Sequence, residues 1–268
     1  MNEPIEVLIA GMGGMGTEVA KRLLYQNHVG FRLLPFALTG ADDTRPNVSI
    51  AGFPIKLVRP EGHRDVLLAN PHAIVVDFTW SDAIARNAEL YVETDHNFVM
   101  GTTGDQTHAR LPLRKPNCPV SAVIDVNMGI PLVVVKSMLE AAAEFFPGSL
   151  ESYTLTIKES HQKTKRGVSG TAEAFRELFG ELGAQMAGDI ESIRDREEGH
   201  GYHWFALRST DGTVSVEINT KVDGRLVYAL GTLEAIRFLH RRVQKGLAGR
   251  VFTMTDVLSG MKDIGKEA

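Results

Sequence analysis

Short apolar runs separated by segments of helical periodicity occupy the first half of the chain. The first run ends at glycines, and after it Val19 and Leu23, then Ala20 and Leu24, recur at a spacing of four. This order predicts a strand, a tight turn and a helix. A further helix is predicted over 81–92. The five apolar runs are Ile5 to Ala10, Leu33 to Leu38, Ala73 to Phe78, Asn97 to Met100 and Val120 to Asp125. Apolar strands that alternate with helices predict an α/β fold with a doubly wound parallel sheet over 1–127.

The pattern changes after about residue 130. A long apolar helix is followed by segments in which apolar and polar residues alternate, as in strands with one buried face. Asp223-Gly224 predicts a hairpin turn before a further strand. The predicted elements are helices over 132–146, 171–186 and 232–243 and strands around 153–157, 214–218 and 225–230. We therefore expect a second α+β domain, built on an open mixed or antiparallel sheet, over 128–240, and a tail over 241–268 that returns to the first domain.

Charge and composition exclude several classes of partner. The chain has 29 Lys and Arg against 33 Asp and Glu, a net charge of −4, so we expect neither nucleic acid nor membrane as a partner. It has one cysteine, Cys118, and no His-x-x-x-His pattern, so we expect neither an intrachain disulfide nor a metal site. No signal-like start is present, and we expect a cytoplasmic protein or the mature form of an organellar, plastid-type one.

The turn after the first strand carries the first candidate chemistry. It reads Gly11-Met12-Gly13-Gly14-Met15-Gly16, which fits the G-x-G-x-x-G pattern of Rossmann-type dinucleotide sites. Glycines there permit a tight turn and let the backbone approach a pyrophosphate, and the following helix begins beside the phosphates. The alternative is a glycine-rich turn that binds nothing. A P-loop is excluded because the chain has no Gly-Lys-Ser/Thr at this turn.

The end of the second strand bears on the choice of cofactor. It reads Leu38-Thr39-Gly40, with no carboxylate before Asp42, whereas sites for NAD usually place an acid here to bind the ribose. Thr39 would not repel a 2′-phosphate, and Arg45 is near enough in sequence to approach one. We expect NADPH rather than NADH, with use of both as an option. The alternative is that Asp42 folds back into the role of the acid.

Later strand ends supply the remaining residues of the nucleotide site. Ligands of doubly wound sheets bind beyond the carboxyl ends of the strands. We therefore expect the cofactor to contact Phe78, Thr79, Gly101, Thr102, Thr103, Asn127 and Met128. The rival interpretation is that these are structural turns, and Asp77 in particular is suited to capping the turn that follows it.

A second group of candidate residues lies between Glu159 and Ala172, which read E-S-H-Q-K-T-K-R-G-V-S-G-T-A. Ser169, Gly170 and Thr171 open a predicted helix, and a helix N-terminus binds carboxylates through its backbone N–H groups. His161 and Lys165 add a proton donor and a positive charge. The alternative is a solvated basic loop before a capped helix.

Taken together, these motifs resemble the dihydrodipicolinate reductase family, and its plant-type branch in particular. The resemblance covers nearly the whole chain and depends on V-D-F-T at 76–79, V-M-G-T-T-G at 99–104, E-S-H-Q at 159–162 with Lys165 and S-G-T-A after it, and Y-A-x-G-T at 228–232. It implies reduction of a small dicarboxylate heterocycle with NADPH or NADH. It also implies a homo-oligomer, with a dimer favoured over a tetramer for this branch.

The resemblance assigns a role to each candidate residue. His161 corresponds to the family's proton donor, Lys165 to its catalytic lysine, and Gly170-Thr171 to its site for a substrate carboxylate, with Gln162 where bacterial members often have a second histidine. Two departures stand out. The glycine turn is one residue shorter than usual in the family, and Gly167 lies where an aspartate generally follows the lysine, which leaves the orientation of the lysine open.

From these residues we expect hydride transfer to the ring carbon conjugated with an imine, followed by protonation from His161. Ser169, Gly170, Thr171 and Lys165 would anchor the dianion. Lys163 and Arg166 are expected to be exposed or peripheral, His200 and His203 structural, and 194–198 a solvated loop. The rivals are another NAD(P)-dependent amino-acid or imine dehydrogenase and a non-catalytic dinucleotide-binding sensor.

Overall fold

The computed structural model describes residues 3–25 and 30–261, and these form two compact units. Unit 1 comprises the described residues up to Ile130 and from Tyr228 onward, and unit 2 comprises Pro131–Val227. Residues 262–268 of the predicted C-terminal tail lie outside the described residues. None of the helices within 3–25 and 30–261 is long and apolar enough to cross a membrane.

An eight-stranded sheet forms the centre of unit 1. Along the sheet the strands follow the order β13-β7-β6-β5-β1-β2-β4-β3, and every neighbouring pair is parallel except β3 and β4. The strands are β1 (Ile5–Ala10), β2 (Phe31–Leu38), β3 (Asn47–Ile50), β4 (Phe53–Val58), β5 (Ile74–Asp77), β6 (Phe98–Met100), β7 (Ala122–Ile124) and β13 (Val251–Phe252). The helices of this unit are α1 (Gly14–Tyr25), α2 (Pro60–Ala69), α3 (Ile84–Glu93), α4 (Thr107–Arg110), α7 (Leu226–Gln244) and α8 (Met254–Met261), with α7 entering the unit at Tyr228.

The predicted parallel sheet of unit 1 is confirmed. Its central strands are apolar without alternation because helices cover both faces, and the last four residues of β1 are completely buried. Each of the five apolar runs overlaps a strand, and β2 begins two residues before its run. Strands β3 and β4 were not predicted: they lie at the edge of the sheet, where only some of their residues are buried.

A five-stranded mixed sheet forms unit 2, in agreement with the predicted class. Its order is β10-β8-β11-β12, with β9 beside β8; β8 pairs antiparallel with β11 but parallel with β9 and β10. Helices α5 and α6 pack with apolar residues of β8 and β11, including Leu155, Ile157 and Phe205. The elements are α5 (Ile130–Phe145), β8 (Tyr153–Gln162), α6 (Gly170–Glu181), β9 (Gln185–Met186), β10 (Glu191–Arg196), β11 (His200–Ser209) and β12 (Ser215–Asp223).

The strand predicted over 225–230 is wrong. Gly224, with φ of +74°, ends β12, and the chain then enters α7 at Leu226 instead of returning as a hairpin. The buried residues Ala229, Leu233 and Ile236 recur at helical rather than strand spacing. Unit 2 consequently ends at Val227, whereas the second domain was expected to reach residue 240.

Gly231 lets α7 approach the turn after β7 closely within unit 1. A Cβ atom at this position would come within 1.8 Å of the carbonyl oxygen of Met128, so only glycine allows this approach. Further along the helix, the ring of Phe238 packs edge-on against Phe252, at a centroid distance of 5.1 Å.

The helix predicted over 171–186 ends early, at Glu181. Gly183 adopts φ of +97°, and the N–H of Ala184 donates to the carbonyl of Phe179 at 2.9 Å. A left-handed glycine with such a backward hydrogen bond terminates a helix. The chain then forms β9, which contains Met186.

Candidate active site

The glycine turn (Gly11–Gly16) follows β1, where the neighbouring strands β2 and β5 lie on opposite sides. Gly11 has φ of +91°, and a Cβ atom there would lie 2.5 Å from the carbonyl oxygen of Phe78. A Cβ atom on Gly16 would lie 1.9 Å from the carbonyl oxygen of Gly11. These two glycines are therefore required by the fold itself.

Gly13 differs from both, because nothing lies within 4 Å of a Cβ atom placed on it. The fold does not need a glycine at this position, and the missing side chain leaves the backbone open to a ligand. Gly13 and Gly14 are exposed, and α1 begins at Gly14. A pyrophosphate-binding turn requires one glycine for the tight turn, one that lets the ligand approach the backbone and one that lets the helix pack closely. Gly11, Gly13 and Gly16 meet these requirements in that order, so the residues present fit a dinucleotide.

Asp77, at the end of β5, organises the neighbouring turns from a completely buried position. Its carboxylate accepts hydrogen bonds from the backbone and hydroxyl of Thr79, at 2.9 and 2.7 Å, and from the hydroxyl of Thr102 at 3.0 Å. Asn87 and Tyr91 donate to its other oxygen at 2.9 and 2.7 Å. Asp77 therefore caps the turns after β5 and β6, in agreement with its structural interpretation.

Three more predicted cofactor residues lie at these turns. The ring of Phe78 lies against Gly101, where a Cβ atom would come within 2.3 Å of it, and Gly101 donates its N–H to the carbonyl of Asp77 at 3.0 Å. Thr103 is exposed. Because β5 and β6 are parallel neighbours, these turns share one edge of the sheet with the glycine turn.

Asn127 and Met128 follow β7 at the same edge. Asp125 accepts the N–H of Asn127 at 3.1 Å, and Asn127 accepts the N–H of Gly129 at 2.9 Å through its side chain. Met128 is buried, with its carbonyl facing Gly231. The structure therefore gives both residues a role in shaping this turn.

Thr39 lies at the end of β2, but its side chain is occupied. It is buried, and its hydroxyl donates to the carbonyl of Val58 at 3.2 Å. Arg45 instead reaches the glycine turn, where it donates to the carbonyl of Met12 at 3.3 Å while Asp43 holds it at 2.6 Å. A pocket of about 480 Å³ lies beside it, with Lys56 and Arg59 among its lining residues.

In unit 2, the candidate residues His161 and Gln162 lie at the end of β8. Glu159 pairs with His203 and His161 pairs with Gly201 across the antiparallel ladder with β11. Side chains alternate along a strand, so Glu159 and His161 share a face with Ile157, which packs in the core with α6. The fold thus directs both polar side chains to the face of the sheet that α6 covers.

A buried carboxylate contacts the imidazole of His161. Nδ1 of His161 lies 2.5 Å from Oε2 of Glu159, whose side chain is completely buried, while 14% of the imidazole side chain is exposed. Arg194 donates to both carboxylate oxygens, at 2.6 and 3.1 Å, and Ser192 donates at 2.5 Å. We refer to Glu159, His161, Lys165 and Arg194 as the acid-base cluster.

Burial and neighbouring charges shift the pKa values of this cluster. Burial lowers the pKa of His161 below 6.5, against the opposing effect of Glu159. Burial also lowers the pKa of Lys165, with Arg194 acting in the same direction. For Glu159 burial acts upward, but hydrogen bonds from Arg194, Ser192 and His161 bring its pKa below 4.5. The carboxylate is therefore ionised at neutral pH, and the two bases release their protons more readily than in water.

The loop after β8 holds Lys165 by its backbone. Its N–H donates to the carbonyl of Gln162 at 2.9 Å, and Nε of Arg194 donates to its carbonyl at 3.3 Å. Gln162 is half-buried, and Lys163 forms an exposed ion pair with Glu197 at 2.7 Å.

Ser169 is the N-cap of α6. Its hydroxyl oxygen accepts the N–H of Ala172 at 3.0 Å and lies 2.7 Å from Nε2 of His203. The other nitrogen of His203 lies 3.0 Å from the hydroxyl of Thr220, and burial lowers the pKa of His203 to about 4. A neutral, buried histidine therefore orients the serine. Gly170 and Thr171 form the first turn of the helix that Ser169 caps.

Sequence reasoning missed the partners of His161. Residues 194–198 were predicted to be a solvated loop, which is wrong for Arg194, because it lies in β10 and pairs with Glu159. Glu159 precedes His161 by two residues, a spacing that puts both on one face of a strand and was the one available signal. Within 3–25 and 30–261, no group of three or more His, Cys, Asp or Glu side chains is arranged to hold a metal ion.

Comparisons with known protein families cover almost the whole chain. The family model described as dihydrodipicolinate reductase, N-terminus, matches residues 5–128. The model described as dihydrodipicolinate reductase, C-terminus, matches residues 131–258. The two matches meet near the start of α5, close to the end of the first part of unit 1.

Curated plant proteins are similar along most of their length. The probable 4-hydroxy-tetrahydrodipicolinate reductase 1, chloroplastic, of Oryza sativa subsp. japonica is 35% identical over 264 residues, covering 92% of this chain and 76% of the rice protein. The 4-hydroxy-tetrahydrodipicolinate reductase 1, chloroplastic, of Arabidopsis thaliana is 34% identical over 273 residues, covering 95% of this chain and 78% of the relative.

A solved structure shares the fold. Dipicolinate-bound dihydrodipicolinate reductase from Paenisporosarcina sp. TG-14 aligns with a TM-score of 0.64 at 17% identity, covering 93% of this chain and 97% of the other. At that identity the likeness concerns the architecture of the two chains.

A methyl group added at Gly13 and one added at Gly16 should have different effects on the stability of the protein. Gly13→Ala meets open space, so we expect the free energy of unfolding to change by less than about 0.5 kcal/mol. The same variant should bind NADPH more weakly by roughly 10-fold or more, because the methyl group intrudes where the pyrophosphate approaches the backbone. Thermal melting and nucleotide titration by fluorescence measure the two effects.

Gly16→Ala is the matched comparison. Its methyl group would collide with the carbonyl of Gly11, so we expect a loss of about 3 kcal/mol or more and a lower melting temperature. Unchanged nucleotide binding by Gly13→Ala would rule out the assignment of the glycine turn to the pyrophosphate.

Proposed function

The chain belongs to the dihydrodipicolinate reductase family, and on that premise we propose that unit 1 binds the reduced nucleotide while unit 2 anchors and protonates the substrate. The family and its plant-type relatives confirm the resemblance found in the sequence motifs. The protein is an NAD(P)H-dependent oxidoreductase that reduces 4-hydroxy-tetrahydrodipicolinate in lysine and diaminopimelate biosynthesis.

His161 is the general acid in this proposal. When bound, the nicotinamide cofactor supplies a hydride to the imine-conjugated carbon of the substrate. The chain must then deliver a proton, and a half-buried imidazole with a lowered pKa is suited to release one. The contact of Nδ1 with Glu159 carries the proposal, because it commits that nitrogen to the carboxylate and leaves Nε2 to face the substrate.

Lys165 and the start of α6 bind the substrate's two carboxylates in this proposal. Lys165 contributes an ammonium group, and its lowered pKa also allows it to share in proton transfer. Ser169, Gly170 and Thr171 contribute the N-terminus of a helix, whose dipole favours an anion. Gln162, at the end of β8, completes the set as a neutral hydrogen-bonding group.

Replacing the two proposed reacting groups should separate their roles. His161→Ala should lower kcat by about 10²–10⁴-fold, the usual contribution of general acid catalysis. Lys165→Met should weaken binding of dipicolinate, the compound bound to the Paenisporosarcina enzyme, by about 10- to 100-fold, as expected for loss of a charged hydrogen bond. Nucleotide oxidation with freshly made 4-hydroxy-tetrahydrodipicolinate measures the first effect, and titration with dipicolinate measures the second.

The matched control is Lys163→Ala, which removes an exposed lysine of the same loop and should leave kcat and dipicolinate binding unchanged.

A general acid must carry its proton, so kcat/KM should fall as pH rises, with a midpoint below 6.5 because burial lowers the pKa of His161. Wild-type activity in His161→Ala would refute the acid assignment. Turnover of a different imine in preference to 4-hydroxy-tetrahydrodipicolinate would favour the rival dehydrogenase.

Cofactor preference depends on Arg45 in this proposal, and we propose NADPH. Arg45 contacts the glycine turn and lines a pocket together with Lys56 and Arg59. Glu61 and Asp65 line the same pocket, so its cations outnumber its carboxylates by one. Asp43 already neutralises part of that charge through its ion pair with Arg45. A 2′-phosphate would replace Asp43 as the partner of Arg45, whereas NADH offers no such group.

Arg45→Ala should therefore lower kcat/KM for NADPH by roughly 10-fold and leave the value for NADH nearly unchanged. The reason is that the 2′-phosphate, which NADH lacks, forms a charged hydrogen bond with this side chain. Steady-state kinetics with both nucleotides give the ratio, and Arg64→Ala, which breaks an exposed ion pair of unit 1, is the control. Equal losses with the two nucleotides would contradict the proposed preference.

We propose that the protein is a dimer, as the resemblance to the plant-type branch favours. Two large apolar side chains on α5, Met138 and Phe145, are 67% and 71% exposed in the single chain, which is typical of a surface that another molecule covers. Light scattering should give about twice the 29.4 kDa of one chain. A molar mass four times that of the chain would indicate the tetramer instead.

The chloroplastic names of the rice and Arabidopsis relatives support a plastid-type compartment over the cytoplasm. A fluorescent fusion expressed in the protein's own cells would distinguish the two.

A further inference from the structure

We propose that Arg194 is a positioning residue that fixes His161 through Glu159 and fixes Lys165 through the backbone of its loop. This rests on the proposed function, which assigns the proton and the substrate charge to His161 and Lys165.

The first contact of Arg194 is a bidentate ion pair with Glu159. Nη2 donates to Oε1 of Glu159 at 2.6 Å and Nη1 donates to Oε2 at 3.1 Å. Parallel pairing of β10 with β8, with Ile193 opposite Ser160, brings the guanidinium beside the carboxylate. Two parallel hydrogen bonds fix the plane of the carboxylate, and one of its oxygens contacts His161. The orientation of the imidazole therefore depends on Arg194.

The second contact is with the loop that carries Lys165. Nη2 of Arg194 also donates to the carbonyl of Gly167 at 2.8 Å, and Nε donates to the carbonyl of Lys165 at 3.3 Å. Gly167 adopts φ of +66°, a conformation that a residue with a Cβ atom rarely takes. The planar guanidinium thus bridges the carboxylate and two loop carbonyls, which the single ammonium of a lysine does not match.

Glu159 and Arg194 affect the proton on His161 in opposite directions. Glu159 raises the pKa of His161 through its hydrogen bond and its charge, and Arg194 lowers it through its charge. Removal of the negative charge should therefore make the imidazole more acidic, and removal of the positive charge should make it less acidic. If Arg194 acted only on folding, its removal would not shift the pKa of His161 in the direction opposite to that caused by removal of Glu159.

Three variants test the proposal. Arg194→Lys keeps the positive charge but loses the two parallel hydrogen bonds of the guanidinium. We expect kcat to fall by roughly 10²-fold, as for a small misplacement of reacting groups. Arg194→Gln should lower kcat at least as much and move the alkaline fall of kcat/KM to higher pH. Glu159→Gln should move it to lower pH. Arg196→Gln, in the same strand and in contact with the Tyr202 hydroxyl, is the control and should behave as wild type.

Two measurements keep the result independent of folding and of turnover. Melting temperatures identify a variant that has lost its fold, and NMR titration of the His161 imidazole in the free protein should give the same order of pKa values, Glu159→Gln below wild type and Arg194→Gln above it.

The outcomes separate the two proposals. If Arg194→Lys keeps kcat within about twofold of Arg196→Gln, or if both pKa shifts have the same sign, the positioning role of Arg194 is overturned. If His161→Ala has wild-type activity, the acid assignment of the proposed function fails, and the NMR titration still decides whether Arg194 sets the protonation of His161.

Discussion

The proposed acid-base chemistry depends on one buried negative charge. Glu159 has no exposed surface, so its ionisation requires compensation, and a guanidinium, a serine hydroxyl and an imidazole provide it. Burying an ion pair costs desolvation energy, which a fully hydrogen-bonded arrangement offsets. The same arrangement fixes the position of the imidazole, so the stability of unit 2 and the geometry of its proposed acid have a common origin.

Unit 1 applies the same principle to a turn. Asp77 is buried at the end of β5 and has its oxygens engaged by groups from α3 and from the turns after β5 and β6. The sheet therefore presents preformed loops at the carboxyl ends of its strands, and the glycine turn adds backbone that a pyrophosphate can approach. In each unit a buried carboxylate orients the groups around it, and three of the residues proposed to contact ligands, Thr79, Thr102 and His161, are hydrogen-bonded to that carboxylate.

Local sequence was sufficient for features encoded over a few residues. The glycine turn, the five strands predicted from apolar runs and the cap at Ser169 have short-range signatures, and each lies where its pattern placed it. Arg194 was missed as a partner of Glu159 because strand pairing brings the two together from 35 residues apart, whereas His203 is structural, as expected, and orients Ser169. The segment 225–230 was mistaken for a strand because a turn signal at Gly224 outweighed the helical spacing beyond it.

The way Arg194 holds the lysine loop also bears on how this region tolerates change. Its hydrogen bonds there go to carbonyl oxygens, which every amino acid possesses, and not to side chains. Arg166 and Val168 point outward from this anchor as exposed residues. These contacts with Arg194 therefore involve only the main chain of the loop and do not depend on the side chains at positions 166 and 168, whereas position 167 must accommodate a left-handed backbone.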